Sequence, residues 1–184
     1  MIGRRRSRRG TVLVLGGARS GKSHLAETML AATDSVTYVA CGDAGDGSDP
    51  EWTQRIAAHR TRRPAGWSTV ETRDLTAVLG ARGGPVLIDC LGTWLAGVMD
   101  ECGVWSGHSD AQALLAARVA ALVDAWAAPA RRAIAVSNEV GSGIVPATAS
   151  GRRFRDELGS LNAQVAATAD AVWLVTAGIG QRLR

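Results

Sequence analysis

The sequence predicts an α/β fold with three layers, in which helices cover both faces of a mostly parallel central sheet. Two observations support this prediction. Short apolar runs rich in β-branched residues alternate along the chain with longer stretches of helical periodicity, which is typical of repeated βα units. Several of the short runs are apolar on both faces, as expected for parallel strands buried between two layers.

Six runs are candidate strands and five stretches are candidate helices. The strands are predicted at Thr11–Gly16, Ser35–Cys41, Ser68–Thr72, Pro85–Cys90, Ala133–Asn138 and Ala171–Gly178. The helices are predicted at Ser23–Ala32, Glu51–Arg62, Leu91–Asp100, Ala111–Ala127 and Ala149–Ala169. The composition of Gly42–Pro50 and Asp100–Asp110 indicates loops. No linker is long enough to divide the chain, so residues 11–184 are expected to form a single nucleotide-binding domain.

The composition is that of an ordinary globular domain. The 184 residues suffice for one core, and 46% of them are hydrophobic and 21% charged. No apolar run approaches the roughly 20 residues of a membrane-spanning helix. The cysteines, Cys41, Cys90 and Cys102, are odd in number and have no zinc-like spacing, which favours a reducing compartment. We therefore expect a cytoplasmic protein with no membrane span.

The N-terminal stretch MIGRRRSRRG carries the excess positive charge. Five of the chain's 21 basic residues lie in it, and without them 16 basic residues face 17 acidic ones. No separate apolar segment or cleavage site follows, so a targeting signal is not indicated. We expect residues 1–10 to be a disordered basic arm. Because the remainder has no basic surplus, dedicated nucleic-acid binding is not expected.

A glycine-rich loop follows the first candidate strand. Its sequence, GGARSGKS, matches the phosphate-loop pattern G-x-x-x-x-G-K-[ST]. Glycines let successive backbone N–H groups turn toward phosphate oxygens, and Lys22, the only lysine of the chain, is a compact charge that reaches the β- and γ-phosphates. The Ser23 hydroxyl is expected to bind Mg²⁺. The pattern predicts a nucleoside triphosphate site formed by Gly16, Gly17, Ala18, Arg19, Ser20, Gly21, Lys22 and Ser23.

A second ligand for the metal is expected at the end of a neighbouring strand. The apolar run VLID ends at Asp89, and no other candidate strand closes on an acidic residue in the same way. Asp89 is therefore predicted to hold Mg²⁺, directly or through water. The alternative is a carboxylate that caps the next helix.

A histidine surrounded by arginines lies in the predicted helix Glu51–Arg62. On a helix, Arg55, His59 and either Arg62 or Arg63 share one face. The positive surroundings favour the neutral, nucleophilic form of the His59 imidazole, and the guanidinium groups would hold polyphosphate oxygens. Two interpretations stay open at this point. The segment binds phosphate or attacks phosphorus covalently, or it is an arginine-rich surface helix with an incidental histidine.

The stretch SNEVGSGIVP follows the fifth candidate strand. Asn138 and Glu139 lie where open α/β sheets keep their sites, beyond the carboxyl end of a strand. The glycines that follow permit an unusual backbone path. A site contribution and a purely structural turn are both compatible with this pattern.

Taken in this order, four stretches resemble the bifunctional adenosylcobinamide kinase/adenosylcobinamide-phosphate guanylyltransferase family of cobalamin assembly. They are GGARSGKS, RIAAHRTRRPAGWSTVE, LIDCLGTWL and SNEVGSGIVP, and the resemblance extends from Thr11 nearly to the C-terminus. It implies a RecA-like phosphate-loop fold and a homo-oligomer, a trimer. It also implies two reactions: phosphorylation of adenosylcobinamide by ATP or GTP, and transfer of GMP from GTP to the phosphate, with release of pyrophosphate.

The resemblance also implies roles for residues of this chain. His59 would be the nucleophile that forms a guanylyl–histidine intermediate, and Glu71 would accept the N1–H and N2–H groups of guanine. The arginine-rich stretch would line the nucleotide, and the end of the second strand would lie near it. These further nucleotide neighbours are Arg60, Thr61, Arg62 and Arg63, and Cys41, Gly42 and Asp43.

The sequence departs from the family pattern on the corrinoid side. Gly92 and Gly97 stand where hydroxyl- or amide-bearing residues are expected, and Ala163 interrupts an expected Asn-Gln pair. Two other functions remain as alternatives. A phosphate-loop kinase without guanylyl transfer would have no role for His59. An ATPase acting on nucleic acid through the basic arm would show steep salt dependence.

Overall fold

The structure, a computed structural model, describes residues 10–42, 54 and 63–184. The strands in this part of the chain are β1 (Thr11–Gly16), β2 (Thr37–Ala40), β3 (Ser68–Glu71), β4 (Val86–Asp89), β5 (Ala133–Asn138), β6 (Ala171–Thr176) and β7 (Ile179–Arg182). The helices in the same part are α1 (Lys22–Thr28), α2 (Leu75–Gly80), α3 (Leu91–Glu101), α4 (Ala111–Ala127) and α5 (Ala149–Thr168).

The seven strands form one sheet in the order β3-β2-β4-β5-β1-β6-β7. Neighbouring strands from β3 to β6 are parallel, whereas β7 pairs with β6 antiparallel. The register places Gly16 beside Asn138, and it places Ala40 between Glu71 and Asp89. The carboxyl ends of these six parallel strands therefore meet along one edge, where parallel α/β sheets hold their ligands.

Both faces of the sheet are buried, which gives the three layers. On one face the strand residues Val14, Leu87 and Ile134 pack with Ala26 of α1 and with Leu30, which follows α1. The other face carries a larger core to which α2, α3, α4 and α5 contribute, and whose most bulky members include Trp94 and Trp126. Successive residues of a strand alternate between the two cores because side chains of a strand point to opposite faces. The predicted three-layer, mostly parallel α/β fold is confirmed, and it is consistent with a RecA-like phosphate-loop fold.

The element predictions agree closely for the interior strands and the long helices. The helix predicted at Ala111–Ala127 is found with the same bounds, and that at Ala149–Ala169 ends one residue earlier. The strand predicted at Ser35–Cys41 is shorter, as β2. The predicted helix Glu51–Arg62 and the predicted loop Gly42–Pro50 fall largely outside the described residues.

Three features of the secondary structure were predicted wrongly. The first helix ends at Thr28 rather than Ala32, because the next N–H groups bond to carbonyls three residues back. Helix α2, capped by the Asp74 side chain through the N–H of Ala77, was not predicted. The predicted strand Ala171–Gly178 contains a turn, since Ala177 and Gly178 have positive φ angles and lead into β7.

Candidate active site

The glycine-rich loop joins β1 to α1 at the carboxyl edge of the sheet. Its backbone turns sharply, with Arg19 and Gly21 at φ angles of 56° and 95°. The Ser20 carbonyl accepts a hydrogen bond of 2.8 Å from the Gly178 N–H, which ties the loop to the β6–β7 turn. A Cβ on Gly16 would lie 2.7 Å from the Val175 carbonyl oxygen, so a side chain there would displace the loop. The loop is thus built around positions that require glycine.

Lys22 begins α1 and lies over the loop. Its Nζ donates a 3.0 Å hydrogen bond to the carbonyl of Gly17. The pair is exposed, so the ammonium group stands at the rim of the loop rather than in the core. This is the position from which a compact charge contacts the distal phosphates of a nucleotide held by the loop.

Ser23 and Asp89 are brought together from positions 66 residues apart. The Ser23 Oγ donates to Asp89 Oδ1 at 3.3 Å, and both groups are partly buried. Asp89 ends β4, the strand that lies two places from β1 in the sheet. A hydroxyl and a carboxylate are hard oxygen donors, which fit Mg²⁺. No group of three or more His, Cys, Asp or Glu side chains that could hold a metal occurs among the described residues. Mg²⁺ keeps several bound waters and takes few protein ligands, so a pair of oxygen donors is enough for it.

Tyr38 is a member of this cluster that the sequence did not indicate. Its hydroxyl donates to Asp89 Oδ2 at 2.8 Å. Burial, reinforced by the negative charge of Asp89, raises the pKa of Tyr38 far above its usual range. The hydroxyl therefore stays a neutral donor to the carboxylate.

Arg63, the last residue of the predicted arginine cluster, lies next to Tyr38. Its guanidinium carbon is 3.6 Å from the centre of the Tyr38 ring, and its NH1 group donates to Thr69 Oγ1 at 2.6 Å. Below it opens a pocket of about 570 Å³. The lining residues are Arg63, Pro64, Ala65, Trp67, Thr69 and Glu71. A cation, an indole and a carboxylate thus line one cavity at β3, the edge strand of the sheet.

The structure places the remaining predicted nucleotide neighbours in two groups. Asp43, His59, Arg60, Thr61 and Arg62 lie outside the described residues. Cys41 follows β2, and its side chain is 1% exposed within the larger core. Burial, with the nearby Cys90 and Asp89, raises the pKa of the Cys41 thiol. Cys41 therefore presents its backbone, with Gly42, to the edge of the sheet rather than a reactive thiolate.

The turn after β5 contacts the phosphate loop through its backbone. The Glu139 N–H donates to the Gly16 carbonyl at 3.0 Å. The Glu139 carboxylate accepts from the N–H groups of Gly141 and Ser142 at 2.6 and 3.2 Å, so it shapes its own turn. The buried Asn162 of α5 donates from Nδ2 to the Asn138 carbonyl at 3.0 Å and fixes the end of β5.

The two glycines that depart from the family pattern lie on α3. Gly92 is buried, and a Cβ there would meet Leu158 and the Asn138 Cβ at ordinary contact distances. At Gly97 a Cβ would lie 2.7 Å from the Arg73 Cδ, whose Nε donates to Glu101 at 2.6 Å. Gly97 thus makes room for the Arg73–Glu101 pair. Ala163, the third departure, is exposed on α5.

Comparison with known proteins decides which phosphate-loop family these residues represent. The family model CobU, cobinamide kinase / cobinamide phosphate guanyltransferase, matches residues 12–183. The chain belongs to this family. Nearly the whole described sheet, the phosphate loop and the Arg63–Glu71 pocket fall inside the match, so the resemblance found in the sequence is confirmed.

Curated relatives of the CobU family match over nearly their full length. The bifunctional adenosylcobalamin biosynthesis protein CobP of Pseudomonas aeruginosa (strain ATCC 15692) is 41% identical over 94% of this chain and 96% of its own. The protein CobU of Escherichia coli (strain K12) is 37% identical, and that of Salmonella typhimurium (strain LT2) is 34% identical. Each of these two matches covers 94% of this chain and 99% of the relative.

No described helix is both long and apolar enough to cross a membrane.

Proposed function

We propose that this protein phosphorylates adenosylcobinamide with ATP or GTP and then converts the phosphate to adenosylcobinamide-GDP, using GTP as the GMP donor. The observation that carries the proposal is the CobU-family match over residues 12–183, together with a phosphate loop that faces Asp89 at the same sheet edge. The relatives are named as bifunctional proteins of adenosylcobalamin biosynthesis, which supports both activities in one chain.

In the kinase reaction the loop residues Gly16–Ser23 hold the triphosphate. Lys22 neutralises the β- and γ-phosphates from the rim of the loop. Ser23 and Asp89 would hold Mg²⁺, which supplies positive charge to the phosphate oxygens. The substrate hydroxyl attacks the γ-phosphorus, the bond to the β-phosphate oxygen breaks, and the nucleoside diphosphate leaves.

In the guanylyl transfer His59 is the nucleophile. An imidazole nitrogen attacks the α-phosphorus of GTP, the bond to the β-phosphate breaks, and pyrophosphate leaves. The cobinamide phosphate oxygen then attacks the same phosphorus and the P–N bond breaks, which restores the imidazole. The arginines at 60, 62 and 63 stabilise the charge on the phosphate oxygens. The position of Arg63 in the lining of the pocket supports this role.

The pocket that ends at Glu71 is the proposed guanine site. Glu71 ends β3, and this exposed residue lines the pocket, where its carboxylate offers an acceptor. Guanine presents two adjacent donors, N1–H and N2–H, which a carboxylate pairs with through both oxygens. Adenine has no such pair of donors, so this residue would favour GTP for the second reaction.

Replacing Glu71 by Gln is therefore expected to lower kcat/KM for GTP in guanylyl transfer by about 10- to 100-fold, because a charged acceptor is lost and an amide N–H faces a donor. Steady-state kinetics of pyrophosphate release measure this. Glu157→Gln, a carboxylate of α5 that pairs with Arg153, is the matched control and should keep the wild-type value. Equal kcat/KM for wild type and Glu71→Gln would place guanine recognition elsewhere.

The two activities are tested in sequence with purified protein. Adenosylcobinamide and γ-labelled ATP should give labelled adenosylcobinamide phosphate, and adding GTP should then give adenosylcobinamide-GDP and pyrophosphate. Phosphorylation without GDP product would indicate a plain kinase. Hydrolysis that needs DNA or RNA and no corrinoid would favour the nucleic-acid ATPase.

We further propose that the protein works in the cytoplasm as a homo-oligomer, a trimer, as the family resemblance implies. Three free cysteines support a reducing compartment. Exposed apolar side chains support assembly, since subunit contacts commonly cover such groups. They include Ile144, which is 97% exposed, and Ile179 of β7.

Deleting residues 1–9 should leave both activities within about twofold of wild type. These residues carry no motif, and the first strand, β1, begins after them at Thr11. Assays of the truncated and full-length proteins at low and physiological salt check this, and a large loss on truncation would give the arm a role in binding or assembly.

A further inference from the structure

Tyr38 lies on the same face of the sheet as Asp89. The register pairs Ala40 with Asp89, and Tyr38 precedes Ala40 by two residues, so all three side chains point to the α1 side. The length of the tyrosine ring spans this two-residue offset along the strand. Its hydroxyl consequently reaches Asp89 Oδ2 at 2.8 Å, although Tyr38 itself is only 3% exposed.

The Asp89 carboxylate has different neighbours at its two oxygens. Oδ2 accepts from the Tyr38 hydroxyl, and Oδ1 accepts from Ser23 Oγ at 3.3 Å. A carboxylate at the end of a short side chain can rotate, and a donor fixed in the core restricts that rotation. The bond to Tyr38 therefore orients Oδ1 toward α1 and the phosphate loop.

The Tyr38 ring is itself held in place from two directions. It belongs to the smaller core, together with Leu30, Trp67 and Leu87. Its face carries the Arg63 guanidinium at 3.6 Å, and Arg63 is tied to Thr69, the residue directly opposite Tyr38 on β3. The hydroxyl is thus a pre-positioned donor rather than a mobile one.

We propose that Tyr38 is a positioning residue, which holds the Asp89 carboxylate in the orientation that receives the Mg²⁺ of the bound nucleoside triphosphate. The proposal rests on the proposed function in taking Ser23 and Asp89 as the metal-facing pair. Tyr38 acts through Asp89 and does not contact the reacting atoms. Groups that orient a metal-binding residue commonly contribute 10- to 100-fold to metal affinity.

The test measures nucleotide affinity without any reaction. The Kd of guanosine 5′-(α,β-methylene)triphosphate, whose α–β linkage cannot be cleaved, is determined by calorimetry in excess Mg²⁺ and in EDTA. The ratio of the two values is the gain in affinity due to Mg²⁺. Tyr38→Phe keeps the ring under Arg63 and removes only the hydroxyl, so it should lower this gain about tenfold and leave the Kd in EDTA unchanged.

A matched control removes a different hydroxyl from the same strand. Thr37 accepts a hydrogen bond from Arg131 at 3.2 Å, in a contact away from Asp89. Thr37→Val should therefore keep the wild-type gain. The proposal would be overturned if Mg²⁺ raised the nucleotide affinity of Tyr38→Phe as much as that of the wild type. It would also be overturned if Tyr38→Phe lost the same affinity in EDTA as in Mg²⁺, because a merely structural residue would affect both conditions.

A double-mutant cycle with Asp89→Asn tests whether Tyr38 acts through Asp89. If it does, Tyr38→Phe should cause no further loss of the gain in the Asp89→Asn background, because coupled residues are not additive. Additive losses would overturn the proposal. Since these titrations need neither phosphorylation nor guanylylation, they remain decisive even if the protein lacks one of the two proposed activities.

Discussion

Lys22→Ala is expected to lower both phosphorylation of adenosylcobinamide and guanylyl transfer on the order of 100-fold or more, as for other preorganised charges at phosphoryl groups. Lys22 is the only lysine of the chain, and its Nζ stands over the loop at 3.0 Å from the Gly17 carbonyl. The described residues contain one glycine-rich phosphate loop, so a single loop would serve both nucleotides.

The measurement is kcat/KM for each reaction, with two comparison variants. Lys22→Arg keeps the charge but replaces a compact ammonium group by a planar guanidinium group, so it should recover only part of the activity that Lys22→Ala loses. Arg118→Ala, on α4 beside Glu101, removes a surface cation far from the loop and should act like wild type. Normal activity of Lys22→Ala in both reactions would show that the loop is not the nucleotide site.

His59→Ala is expected to abolish guanylyl transfer and to leave the kinase reaction intact. In the proposed mechanism the second reaction passes through a bond between phosphorus and the His59 imidazole, and alanine has no group that could form it. The first reaction is proposed to use the loop, Lys22 and the Ser23–Asp89 pair, and it involves no covalent bond to a histidine. A split of this kind would separate the two-step enzyme from a plain kinase.

The two reactions are followed separately in this variant. Adenosylcobinamide phosphate is measured after incubation with ATP, and adenosylcobinamide-GDP is measured after addition of GTP. His108→Ala, in the turn region that follows α3, is the matched control and should retain both reactions. Loss of both reactions in His59→Ala would instead indicate a general role in nucleotide binding.

Much of the fold followed from local patterns. The interior strands are runs of β-branched residues buried on both faces, and helix α4 has the bounds that its periodicity predicts. The phosphate loop was also predictable, because its spacing reflects backbone geometry that few residues allow. Asp89 followed from its place at the end of an apolar strand, since parallel strands bring their carboxyl ends to one edge.

The parts that were not predicted depend on contacts between distant residues. The Tyr38–Asp89 bond joins positions 51 residues apart, and the Asn162–Asn138 bond joins positions 24 apart. Neither Tyr38 nor Asn162 was predicted as a site residue, and only the register of β2 beside β4 reveals the first pair. Helix α2 and strand β7 were missed because each is short, with six and four residues, and so gives only a weak periodic pattern.

The most direct test of guanylyl transfer through His59 is to incubate the wild-type protein with α-³²P-GTP and to ask whether the label becomes covalently bound. We expect one labelled site that maps to His59, released by acid and stable to alkali, as a P–N bond should be. His59→Ala should carry no label. An unlabelled wild-type protein would contradict a covalent guanylyl–enzyme intermediate. Undiminished labelling of His59→Ala would place the nucleophile at another residue.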